Sequence, residues 1–278
     1  MITRRLLLIA AVLAGALVIY AQSNPLNSLF NVLTSGKQPT QTQTDTGQAL
    51  AQGAKSLQNP GPVEQQTIGE SLALQIVSRY GGLVRDPTIM RRVNLIGRSM
   101  ARYSDTPYLP WRFGVLNSPT VNGFSAPYGF VFITRGLYDL ARSDDALAGV
   151  LAHEIAHVSR HHAETVLKAA EFGAAVGNFV LARSGNARTA QPFMEQLNAG
   201  IDHLGSTLFE HGYSPDTEYE ADHVGHDLAK TCGYAGGGLR SVLVALHQRT
   251  GDSKQAFPTH PPLSDRIRRL PDEPAPPL

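Results

Sequence analysis

Near the middle of this 278-residue chain stands His153-Glu154-Ile155-Ala156-His157. Residues four apart on a helix share a face, so the two imidazoles can converge on one ion. Glu154 lies beside them. It is close enough to take a proton from a metal-bound water and badly placed to ligate from the same side. Zinc takes such nitrogen and oxygen donors in a four-coordinate shell with one open position. Even with ten histidines in the chain, composition predicts only about 0.01 chance matches to this pattern, so accident is disfavoured.

A catalytic zinc needs a third protein ligand, and Glu218-Tyr219-Glu220-Ala221-Asp222 offers one. On a helix Glu218 ligates while Asp222, one turn on, accepts from a ligand histidine and fixes its tautomer. Glu220 competes for the ligand role, but the E-x-x-x-D spacing favours Glu218. Two further groups are candidates for a positive charge near an oxyanion: Arg266, and His260 in the stiff segment Phe257-Pro258-Thr259-His260-Pro261-Pro262. His161 and His162 read as solvent-facing, although His161 lies one turn beyond His157.

These residues need elements to position them. Ser143 followed by Asp144 and Asp145 is a helix start, with a capping hydroxyl and acids at the positive end of the dipole. The helix is expected to run from Asp144 to about Ala170. Helical spacing also marks Glu64–Tyr80, Pro87–Tyr103, Glu195–Phe209, Glu218–Lys230 and Leu239–Arg249. Arg112–Leu116 and Phe130–Thr134 read as strands, and Asn122-Gly123 between them permits a tight turn. The expected fold class is α+β, mainly helical with a small β-sheet.

The ends read differently from this body. Met1–Arg5 is basic and Leu6–Ala21 is an apolar run of 16 residues, the pattern of a signal peptide or an N-terminal membrane anchor. Residues 22–62 read as a flexible polar linker, because their Gln-, Thr- and Gly-rich composition cannot offset ordering entropy. Residues 63–272 form the expected domain and 273–278 a Pro-rich tail. The net charge of +1 divides unevenly: residues 1–62 carry Arg4, Arg5, Lys37 and Lys55 against Asp45. A nearly neutral body gives no footprint for nucleic acid. The lone Cys232 excludes an intrachain disulfide.

From about Glu64 to Leu270 the chain resembles the gluzincin metallopeptidases of the HtpX, BepA and Oma type, which also include the Ste-type CAAX prenyl protease. Asn122–Gly129 with Phe130–Leu137, Leu147–His157 with Arg160-His161, Tyr213–Asp222, and Thr259-His260-Pro261 with Arg266-Ile267 appear in the family's order. The resemblance implies a zincin-like domain binding one Zn2+ per chain, with His153, His157 and Glu218 as ligands and Glu154 as general base. It implies that the strand Phe130, Val131, Phe132, Ile133 forms the cleft edge and holds an extended peptide by main-chain hydrogen bonds. It also suggests His260 as a removable fourth ligand. Tyr128 stands where the family usually has glycine, and His223 where it often has arginine.

With the leader, the resemblance implies a periplasmic endopeptidase, soluble or tethered to the inner membrane by residues 6–21. It would act on unfolded or envelope polypeptides. A chaperone-like binding module with a silenced or latched zinc site is the alternative. A membrane-embedded prenyl protease is disfavoured, because the body shows no further spans.

Overall fold

The computed structural model describes residues 62–167, 205–209, 211–252 and 260–274. The leader, the linker up to residue 61, the segment 168–204 and the last four residues lie outside them. In chain order the elements are α1 (Pro62–Arg79), α2 (Pro87–Ala101), β1 (Arg112–Leu116), β2 (Gly123–Ala126) and β3 (Phe130–Thr134). There follow α3 (Arg135–Leu140), α4 (Asp144–Ser159), α5 (His162–Leu167), α6 (Pro215–Thr231), α7 (Gly238–Thr250) and α8 (Leu263–Arg269). The class is α+β, mainly helical with one small sheet.

Local chemistry sets the helix starts. Ser143 Oγ accepts from Ala146 N at 3.1 Å to cap α4. Ser214 accepts from Thr217 N to cap α6, with Pro215 in the first turn. Asp86 caps α2 in the same way, again followed by proline.

An element apolar all round belongs in the interior. Accordingly every residue of α4 from Ala146 to Ser159 is buried. α2 brings Ile89, Val93, Ile96 and Met100 into the same core. Where α6 crosses α4 the backbones nearly touch: a Cβ on Gly225 would lie 2.7 Å from His153 N. Only glycine lets α6 approach α4 so closely.

Three expectations are corrected. The helix starting at Asp144 ends at Ser159, and His161 adopts a left-handed φ of 57° before α5 begins. Asn122-Gly123 does not make the turn. Gly123 opens β2, and the turn falls at Tyr128 (φ 67°) and Gly129 (φ 86°). The left-handed backbone at Tyr128 costs a non-glycine residue roughly 1–2 kcal/mol.

The third correction concerns the sheet. Its order is β1-β3-β2, with β1 parallel and β2 antiparallel to β3. Phe130, Val131, Phe132 and Ile133 are therefore central, buried and paired on both sides. Their main-chain groups are committed to the sheet and cannot hold a peptide. The edge strand next to the site is β2.

Candidate metal centre

α4 and α6 deliver three donors to one point. His153 Nε2 and His157 Nε2 are 3.1 Å apart. Glu218 Oε2 is 3.7 Å from the first, and Glu218 Oε1 is 3.5 Å from the second. Neighbouring donors in a tetrahedral zinc shell sit about 3.3 Å apart, given bonds of 2.0–2.1 Å. The donor set thus fits a small divalent cation. All three side chains are buried, and Glu218 Oε1 accepts no hydrogen bond within the described residues. A buried carboxylate oxygen with no partner is costly, and a bound cation removes that cost. No other group of three or more potential ligands was found among the described residues.

The electrostatics of His157 and Glu218 suit ligands. Burial holds the His157 imidazole well below its usual range, so the ring is neutral with a lone pair available. Burial alone would raise the Glu218 carboxyl, but His260, His157 and Arg266 hold it well below the carboxylate range. Burial and the Arg266 charge depress the His153 imidazole, but Asp222 and Glu218 together carry it above its usual range, so a cation must displace a proton there.

Each histidine is held from behind. His153 Nδ1 lies 2.9 Å from Asp222 Oδ1. Arg266 grips that carboxylate with two nitrogens, Nε at 2.9 Å and Nη2 at 2.6 Å. Arg266 is thus not free to meet an oxyanion, which corrects its expected role: its fork is spent on Asp222. His157 Nδ1 meets His162 Nδ1 at 2.9 Å. His162 is 4% exposed, not solvent-facing as its sequence context suggests. Glu220 does not join the donors and lies 3.6 Å from His162 Nε2.

Glu154 follows His153 on α4 and is buried beside the donors. Burial pushes its carboxyl above the usual carboxylate range, as a proton-accepting group near neutral pH requires. Gly123 at the start of β2 makes room for it, since a Cβ there would lie 2.2 Å from Glu154 Oε1. Asn122, Gly123, Phe124 and Ser125 line a cleft that also contains Glu154, His157, Glu218 and Tyr213. His260 reaches the cleft as well, with Nδ1 2.7 Å from Glu218 Oε2 and Nε2 3.5 Å from Asn122 Oδ1.

Sequence reasoning missed His162, Tyr213 and β2. Neither aromatic ring has a spacing relation to the first motif, and β2 is too short to alternate. The signal the sequence does carry is Gly123, which opens β2.

A helix bearing H-E-x-x-H, joined by a glutamate from a second helix, defines the gluzincin class of metallopeptidase site. The model of Peptidase family M48 matches residues 87–273, and the chain belongs to that family. The mitochondrial metalloendopeptidase OMA1 of Schizosaccharomyces pombe is 29% identical over 70% of this chain and 57% of its own length. The beta-barrel assembly-enhancing protease of Escherichia coli K12 is 23% identical over 76% of this chain and 41% of its own length. Metalloprotease YcaL of the same bacterium is 28% identical over 79% of each chain. The chain thus spans about half the length of the first two of these relatives.

Proposed function

We propose that this chain is a zinc-dependent endopeptidase of the bacterial cell envelope that degrades unfolded or misfolded polypeptides. The convergence of His153, His157 and Glu218 beside the buried Glu154 carries the reading. Family membership supports the chemistry. The beta-barrel assembly-enhancing proteases among the relatives, together with the leader, support an envelope location. We read residues 1–21 as signal or anchor and 22–62 as a tether, leaving the protein periplasmic, free or held at the inner membrane. Among the described residues no helix is long and apolar enough to cross a membrane.

One Zn2+ held by His153, His157 and Glu218 would acidify a bound water and polarise the scissile carbonyl. The chain supplies the rest. Glu154 accepts the proton of the attacking water and returns it to the leaving amine. Asn122–Ser125 at the β2 edge aligns an extended substrate by main-chain hydrogen bonds. Asp222, held by Arg266, orients His153. His260, 2.7 Å from Glu218, would serve as a removable fourth ligand to that ion.

The approach of His260 to Glu218 also favours a second reading, a binding module whose zinc site stays latched. Purified protein with an unstructured polypeptide separates the two. Cleavage by the wild type, lost in Glu154→Gln with zinc retained, is expected. Cleavage that survives this substitution defeats the assignment of Glu154, and a wild type that binds substrate without cutting it supports the module.

A further inference from the structure

The His157 ring is enclosed by groups its own motif does not contain. Tyr213 stacks on its face, with centroids 4.3 Å apart and 17° between planes. His162 meets its outer nitrogen, Nδ1 to Nδ1, at 2.9 Å. On an unbroken helix, position 162 would lie about 140° around the axis from position 157, pointing elsewhere. The left-handed backbone of His161 ends the run and turns the chain so that His162 comes back onto His157.

A contact this short between two neutral imidazoles holds one proton, so one ring donates and the other accepts. The surroundings select which. The far nitrogen of His162, Nε2, faces Glu220 Oε2 at 3.6 Å. That separation is too long for a hydrogen bond, and His162 Nε2 has no hydrogen-bond partner among the described residues, but the nearby negative charge favours the N–H at Nε2 and leaves Nδ1 bare to accept. His157 must then donate from Nδ1. Its Nε2 keeps the lone pair, and that is the atom aimed at His153 and Glu218.

We propose that His162 is the positioning residue for His157, fixing the tautomer in which Nε2 is a metal donor, with Glu220 setting the tautomer of His162 in turn. The two histidines of the H-E-x-x-H motif are thus backed differently: His153 by a carboxylate, His157 by a third histidine on a separate helix. This rests on reading His153, His157 and Glu218 as a zinc centre.

The test is zinc affinity of the full chain, by competition with a chromophoric chelator, in the wild type, His162→Phe and His162→Asn. 15N-histidine NMR of the metal-free proteins reads the His157 tautomer. Phenylalanine keeps a ring against Tyr213 and offers no acceptor, whereas asparagine places an amide oxygen near the position of Nδ1. His162→Phe is expected to weaken zinc binding about 10–100-fold and to mix the His157 tautomers, while His162→Asn stays within about threefold of wild type. Wild-type affinity in His162→Phe, or equal weakening in both variants, overturns the proposal. Should His162→Phe fail to fold, Glu220→Leu carries the test, and an unchanged affinity and tautomer there overturns it equally. A wild type that binds no zinc overturns the metal-centre reading instead.

Discussion

Arg266 holds Asp222 through a buried two-point contact, and Asp222 in turn faces His153 at 2.9 Å. α8 is thereby tied to α6, and α6 to the face of α4 that carries His153. Removing one partner of such a pair leaves an uncompensated buried charge. Arg266→Met is therefore expected to destabilise the fold by about 3–5 kcal/mol, read from denaturant midpoints. Replacing both residues by apolar side chains should recover part of that loss. Equal stability of wild type and Arg266→Met would show the pair to be dispensable.

Gly123 and Glu154 are in contact in a way that leaves no room for a methyl group. Gly123→Ala pushes the Glu154 carboxylate from its place without touching a donor. Misplacement by about 1 Å lowers turnover on the order of 10²-fold, with zinc still bound at one per chain. Metal analysis beside a peptidase assay checks this. Loss of zinc along with activity would point to a wider disturbance and sink the claim that Gly123 serves the base.

His260 lies 2.7 Å from Glu218 and within reach of Asn122. If it is a removable ligand, His260→Ala retains zinc and cleaves an unstructured polypeptide at least as fast as wild type. A fall in turnover with zinc content intact would reject the latch and assign His260 to catalysis.

Chelation should lower thermal stability as well as activity, because buried His153, His157 and Glu218 lose their common partner. A ligand at 100 times its Kd stabilises the folded state by about 2.7 kcal/mol, which for a domain of this size is about 5–10 °C in Tm. Differential scanning calorimetry with and without chelator measures the shift. Identical melting curves would mean that these residues hold no metal in the folded protein.

How much of this was legible beforehand depended on whether a signal was local. The starts of α2, α4 and α6 were, because a cap and the acids or proline after it act within one turn. The pairing of His153 with His157 was, because helix periodicity alone puts them on one face. The E-x-x-x-D spacing nominated Glu218 and Asp222 over Glu220, and the structure places Glu218 among the donors and Glu220 against His162.

What depended on distant backbone was not legible. Strand order is one case: Phe130–Thr134 looks like a cleft edge until Gly123–Ala126 pairs with it and takes that place. Residues 123–126 are too few to show alternation, and their pairing is set by a turn at Tyr128 and Gly129. Arg266 is another: its charge suggested an oxyanion partner, but tertiary packing brought Asp222 to it first.

The sequence by itself determined the motif and the residues that could serve as donors, since metal ligation and helix capping depend on residue type and short spacing. Only the tertiary structure decided what stands behind those donors. A left-handed residue at His161 turns His162 onto His157, and a glycine at position 225 lets α6 close on α4. Both are matters of where one segment of backbone meets another, which no local pattern encodes.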